Sequence, residues 1–174
     1  MAKDKKLKTN AMRILDSKKV SYEMLSYESE DGKIDGISVA HKIGVDEKNV
    51  FKTLVAQGTS KELYVFVIPV AEELDLKNAT KIAREKKVEM IAVKDIMKYT
   101  GYIRGGCSPI GMKKQFKTFI DISAENYEKI IFSAGKIGYQ VEVAVDEFKK
   151  AVNYELKDIC VMWFVIDIYI MINI

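Results

Sequence analysis

The ten residues KELYVFVIPV, 61 to 70, constrain this chain more than any other stretch. A strand with one wet face alternates apolar and polar side chains, so an unbroken apolar run must be covered on both faces. The run is short, rich in β-branched and aromatic residues, and closed by Pro69. Those properties favour a central strand over a buried helix. The polar turn GTSK (58–61) joins it to NVFKTLVAQG (49–58), which reads as its neighbour in the sheet.

Around that strand pair the pattern changes character repeatedly. Residues 7–18 place Leu7, Met12, Ile14 and Leu15 close to helical spacing, and VSYEMLSY (20–27) alternates as a strand. ISVAHKIGV (37–45) has helical spacing with Gly44 as its stop, and residues 72–87 form an amphipathic helix with Leu74, Ala79, Ile82 and Ala83 inward. VEMIA (88–92) reads as a short strand and VKDIMKYT (93–100) as a short helix. Later come TFIDIS (118–123), KIIFSAG (129–135) and YQVEVAV (139–145) as strands. DEFKKAV (146–152) is a last helical turn or two, and NYELKDI (153–159) a last extended piece. With no steady βαβ rhythm, this predicts an α+β single domain with a mixed, partly barrel-like sheet and flanking helices.

The bulk properties exclude several functions. At 174 residues, 48% hydrophobic and 30% charged, the chain is a soluble globular domain, not a disordered one. Two cysteines and one histidine cannot supply a four-ligand zinc site, so neither metal nor cofactor is expected. The charged N-terminus lacks a secretory core, which makes a cytoplasmic location the expectation. A net charge of +3 permits a nucleic-acid partner without requiring one.

The segment ICVMWFVIDIYIMINI (159–174) stands apart as almost wholly apolar. It falls short of the roughly 20 residues of a membrane-spanning helix, so no membrane partner is expected. It reads as a sticky or foreign tail, a buried strand being the alternative. The expected division is therefore a functional domain over 1–158 and a tail over 159–174.

Chemistry concentrates in GYIRGGCSPIGMKK (101–114), where Gly101, Gly105, Gly106 and Gly111 surround Cys107, Ser108 and Pro109. The loop fits neither the P-loop nor the dinucleotide fingerprint. Three readings remain: a tight structural turn, a cysteine nucleophile, or main-chain N–H groups cradling a small polar ligand. Cys107 has no base beside it in sequence. Lys52 interrupts an apolar strand, and lies either on a solvated face or against a cavity where its charge orients a carbonyl or phosphate. His41 shares a helical stripe with Ile37 and Ala40, as a core or rim residue. Lys113, Lys114 and Lys117 form a basic cluster just past the loop, either solvated or touching phosphates.

Three stretches together, VFKTLV (50–55), GYIRGGCSPIGMKK (101–114) and SAGKIGYQVEV (133–143), resemble the YbaK family in order and separation, and PVAEELDLK (69–77) and KKVEM (86–90) fit the same pattern. The family is related to the editing domain of bacterial prolyl-tRNA synthetases, and the resemblance covers roughly residues 8–158. It implies an aminoacyl-tRNA deacylase, typically for cysteine attached to proline tRNA, whose substrate thiol attacks its own ester. It implies Lys52 as the essential residue. It further implies that Gly105, Gly106, Ser108, Pro109 and Gly111 meet the acceptor end, with Tyr27, Thr53, Ser133 and Gln140 completing the pocket. The partners implied are aminoacyl-tRNA and a prolyl-tRNA synthetase that presents it. Two departures bear on pocket polarity: Asp35 stands where relatives carry phenylalanine, and Gln140 where some carry aspartate. They leave open another small amino acid such as alanine, or a binding protein without turnover.

Overall fold

The computed structural model describes residues 7–162 and 172. Its elements in chain order are α1 (Asn10–Ser17), β1 (Tyr22–Ser26), α2 (Gly36–Ile43), β2 (Phe51–Gly58), β3 (Leu63–Pro69), α3 (Leu76–Ala83) and β4 (Val88–Met90). They continue with α4 (Ile96–Thr100), β5 (Lys117–Asp121), β6 (Lys129–Lys136), β7 (Tyr139–Ala144), α5 (Val145–Phe148) and β8 (Tyr154–Lys157). This is the α+β fold expected, but the strands form two sheets and no closed barrel. Five strands run in the order β4-β2-β3-β5-β8, three in the order β1-β7-β6, and an isolated bridge from Val50 to Ile131 links them.

β3 is central, and all seven of its residues are buried. β2 pairs with it antiparallel and β5 parallel, so each face is covered by a different cluster. Val65 and Val67 join Phe51, Phe132, Val141 and Met12 on one side. Tyr64, Phe66 and Ile68 join Ala79, Ala83, Phe119 and Ile159 on the other, with the Phe66 and Phe119 rings stacked at 5.5 Å. The continuous apolar run is the signature of this double burial.

Helix starts follow side-chain caps more closely than hydrophobic spacing. Thr9 Oγ1 accepts from Met12 N–H at 3.2 Å, and α1 then buries Ala11, Met12 and Leu15. Asp75 caps α3 by accepting from Asn78 N–H at 3.1 Å, so the helix begins at Leu76 and not at residue 72. Likewise β5 ends at Asp121, whose carboxylate accepts from Ser123 N–H at 3.1 Å and opens a 3-10 turn.

The anticipated boundary after residue 158 falls inside packed structure. Ile159 is fully buried, its N–H donates to Asp121 Oδ1 at 3.2 Å, and its carbonyl accepts from Asp75 N–H at 2.8 Å. Val161 N–H donates to the Glu73 carbonyl, and Cys160 bridges Leu74. The rest of the apolar segment, apart from Met162 and Ile172, lies outside the described residues. Among the described residues no helix is long and apolar enough to cross a membrane.

Candidate active site

Strand β2 is only partly covered by β4, which pairs with residues 56–58 and leaves the start of β2 as a free edge. Val55 gives its carbonyl to Ile91 N–H on that outer side, whereas Gly58 N–H turns inward to Glu62. Alternation then directs the main-chain N–H and C=O of Thr53 outward as well. Facing this edge lies a cavity of about 750 Å³. Lys52 and Thr53 form one wall, Ser133 and Gln140 of the smaller sheet form its floor, and Arg104, Gly105 and Cys107 come from the glycine-rich loop. Asp35 and Gly36 at the start of α2 close the remaining side.

Five expected site residues therefore meet: Lys52, Thr53, Gly105, Ser133 and Gln140. Lys52 sits half-buried on the face of β2 opposite Phe51, across from Ile68. Burial lowers its pKa below the ordinary 10.5, while Glu73, Cys160 and Glu72 act in the opposite direction to keep it charged. The Thr53 hydroxyl is buried with no hydrogen-bond partner among the described residues. Ser133 and Gln140 are directly paired across β6 and β7.

The other expected residues, Gly106, Ser108, Pro109, Gly111 and Tyr27, do not line this cavity. Gly106 N–H is committed to the Ile103 carbonyl at 3.0 Å. Ser108 is fully buried, with Oγ accepting from Ile110 N–H. Pro109 and Gly111 line a separate cavity of about 290 Å³ beside Ile14 and Lys18. Gly111 has φ 80°, and a Cβ there would lie 2.8 Å from the Tyr102 hydroxyl, which donates to the Ile110 carbonyl. Tyr27 is not among the lining residues of the large cavity. It follows the end of β1, its N–H donates to the Gly138 carbonyl at 2.9 Å, and its hydroxyl is buried without a partner among the described residues.

The remaining side chains sort themselves by environment. Cys107 reaches the cavity, but burial pushes its thiol up to about 12, which keeps it protonated and a weak nucleophile. His41 is exposed, 4.0 Å from Glu47, on the solvent side of α2. Lys114 and Lys117 line other surface hollows, and Lys113 donates to the Lys98 carbonyl. Arg104 was not singled out from sequence; standing one residue before Gly105, it is exposed where the loop meets the cavity. Asp35 is the α2 cap, accepting from Ser38 N–H at 3.0 Å and Ser38 Oγ at 2.6 Å. Among the described residues no group of three acidic, histidine or cysteine side chains could hold a metal ion.

Fold and site together define a small α+β protein with one large cavity lined by Lys52, Arg104 and Asp35 and by main-chain and neutral polar groups. The chain belongs to the aminoacyl-tRNA editing domain family, whose model matches residues 36–151. It is 45% identical over 160 residues to a protein of Enterococcus faecalis named as a candidate Cys-tRNA(Pro)/Cys-tRNA(Cys) deacylase, EbsC, covering 91% of this chain and 98% of that one. The uncharacterized protein YwhH of Bacillus subtilis is 19% identical over 142 residues, or 81% of this chain and 88% of that one. Two crystal structures share the fold. One, the hypothetical protein APE2540, has a TM-score of 0.78 at 19% identity and covers 86% of this chain and 97% of that one. The other, described as a candidate trans-editing enzyme for prolyl tRNA synthetase, has a TM-score of 0.77 at 16% identity and covers 88% of this chain and 99% of that one.

Proposed function

We propose that the chain is an aminoacyl-tRNA deacylase that clears cysteine wrongly esterified to proline tRNA. The observation that carries the reading is the convergence of Lys52, Thr53, Gly105, Ser133 and Gln140 on one cavity that lacks an activated nucleophile of its own. An aminoacyl ester is already reactive, so seating it and stabilising its oxyanion supply much of the rate. The substrate's thiol sulfur attacks its own carbonyl carbon. A C–S bond forms and the ester C–O bond breaks. The thiol proton leaves with the ribose hydroxyl, and the thiolactone that remains is hydrolysed to cysteine.

In this reading the Lys52 ammonium holds the phosphate–ribose end of the terminal adenosine. The open main-chain edge at Thr53 and the Gly105–Cys107 limb of the loop face the ester. Cys107 itself is a wall residue. A net charge of +3 gives little for reading a distant anticodon, so prolyl-tRNA synthetase presenting the tRNA is part of the proposal. The test is to incubate the protein with cysteinyl-, alanyl- and prolyl-tRNA(Pro) and follow loss of the ester. Rapid loss of the cysteinyl ester alone is expected. Preferential loss of the alanyl ester would reassign the substrate, and no loss of any would remove the enzyme reading.

A further inference from the structure

The segment between β1 and α2 walls the large cavity without belonging to either sheet. Its residues Gly32, Ile34 and Asp35 line the space. Ile34 also reaches the glycine-rich loop: a Cβ on Gly105 would lie 2.6 Å from Ile34 Cδ1, so that side chain rests on bare backbone. Within the segment the hydrogen bonds are short in range. Gly32 N–H donates to the Ser29 carbonyl at 3.1 Å, Lys33 N–H to Asp31 Oδ1 at 3.0 Å, and Ile34 N–H to the Gly32 carbonyl at 3.1 Å. They shape a turn but do not attach it to the body of the domain.

Lys42, in the last turn of α2, makes that attachment. Its Nζ donates to the Glu28 carbonyl at 2.7 Å, to Asp31 Oδ1 at 2.7 Å and to the Lys33 carbonyl at 3.0 Å. An ammonium has three protons, and each of them has an acceptor here. The acceptors sit on both flanks of the turn and at its tip, so one side chain fixes its whole width. The helix that carries Lys42 is itself anchored. Val39 and Ala40 are buried, and a Cβ on Gly36 would lie 2.2 Å from Val70 Cγ1, just past the end of β3.

We propose that Lys42 is a positioning residue for the cavity. From the far end of α2 it holds the 28–34 turn so that Gly32 and Ile34 stand as a preformed wall against Gly105. The inference rests on the deacylase reading in one respect, that the large cavity seats the aminoacyl end. Lys42 is not itself a lining residue, so it acts through the turn and not on the guest. A wall already in place needs no ordering when the guest arrives, whereas a loosened one draws its ordering entropy from the binding energy. That loss falls equally on ground state and transition state, so it raises KM and leaves kcat alone.

The test compares the full wild-type chain with Lys42→Met, which keeps the length without the charge, and with Lys42→Arg, which keeps the donors. Lys42→Gln replaces the first variant should it fail to fold. Hydrogen exchange read by mass spectrometry follows the amides of residues 29–34. Calorimetric titration with 3′-cysteinylamido-adenosine, whose amide linkage prevents turnover, reads the cavity. In Lys42→Met those amides are expected to exchange at least about 10-fold faster, with the core strands unchanged. The analogue should bind about 10-fold more weakly, as for a wall in place about one tenth of the time. KM for cysteinyl-tRNA(Pro) should rise by about the same factor, with kcat within about two-fold. Lys42→Arg should restore both slow exchange and analogue binding. Unchanged exchange in Lys42→Met overturns the proposal. So does faster exchange with unchanged analogue affinity, which would make Lys42 the holder of a surface turn and nothing more. Wild-type protein that fails to bind the analogue also overturns it. Wild-type protein that binds the analogue but leaves cysteinyl-tRNA(Pro) intact removes the deacylase reading instead, and Lys42 keeps its part.

Discussion

The two limbs of the glycine-rich loop look alike in sequence and do different work. Gly105 and Cys107 border the large cavity, whereas Ser108, Pro109 and Gly111 face away and fix the loop to the body of the domain. On the second limb every group has a packing partner: Ser108 Oγ meets Ile110 N–H, and Gly111 makes room for the Tyr102 hydroxyl. On the first limb a thiol stays protonated beside empty volume. Proximity in sequence to a functional residue is therefore no measure of contact with the ligand.

Substitutions on the two limbs should separate stability from turnover. Gly111→Ala gives the largest effect, because a Cβ at φ 80° lies 2.8 Å from the Tyr102 hydroxyl and 3.1 Å from Ile14 Cδ1. Left-handed strain and overpacking together predict a loss of roughly 2–4 kcal/mol in chemical denaturation. A variant as stable as wild type would show that the second limb is not a brace. An intermediate effect is expected from Glu73→Gln, which reads the opposite wall of the cavity. Burial lowers the Lys52 pKa and the Glu73 charge raises it, so removing that charge lowers it further. If activity needs the ammonium, the alkaline limb of the kcat/KM profile begins below pH 10.5 in wild type and moves to lower pH in the variant. A shift to higher pH would contradict the sign. The smallest effect belongs to Cys107→Ser, expected to leave kcat/KM within about two-fold, as for a wall residue with no transition-state role. Abolished activity there would make Cys107 the nucleophile.

What was legible in the sequence follows from how local each cause is. KELYVFVIPV declared a central strand because burial on both faces is written into the run itself. Lys52 was visible as a charge inside an apolar strand. The start of α3 at Leu76 was legible only through Asp75, since Glu72 turns back to Pro69 and Glu73 to Asp75 bond to the 159–161 strap although the segment keeps the helical pattern. That strap was read as a tail because its apolar run does not reveal that Ile159 completes the cluster beneath Phe66. Other features depend on pairings distant in the chain. The free edge at Thr53 exists because β4 is short, and the Ser133–Gln140 floor depends on the β6–β7 register, which shifts between Ser133 and Lys136. Residues 50–55 and 133–143 carried a family resemblance long before any spacing rule could bring them together.

The central claim is that one ammonium, set against a neutral floor, serves an ester that brings its own nucleophile. Single-turnover deacylation of cysteinyl-tRNA(Pro) by Lys52→Ala, with thermal melting as the folding control, tests it most directly. The account predicts a rate at least about 100-fold below wild type, with an unchanged melting transition. A folded Lys52→Ala protein that still releases cysteine at the wild-type rate would contradict it.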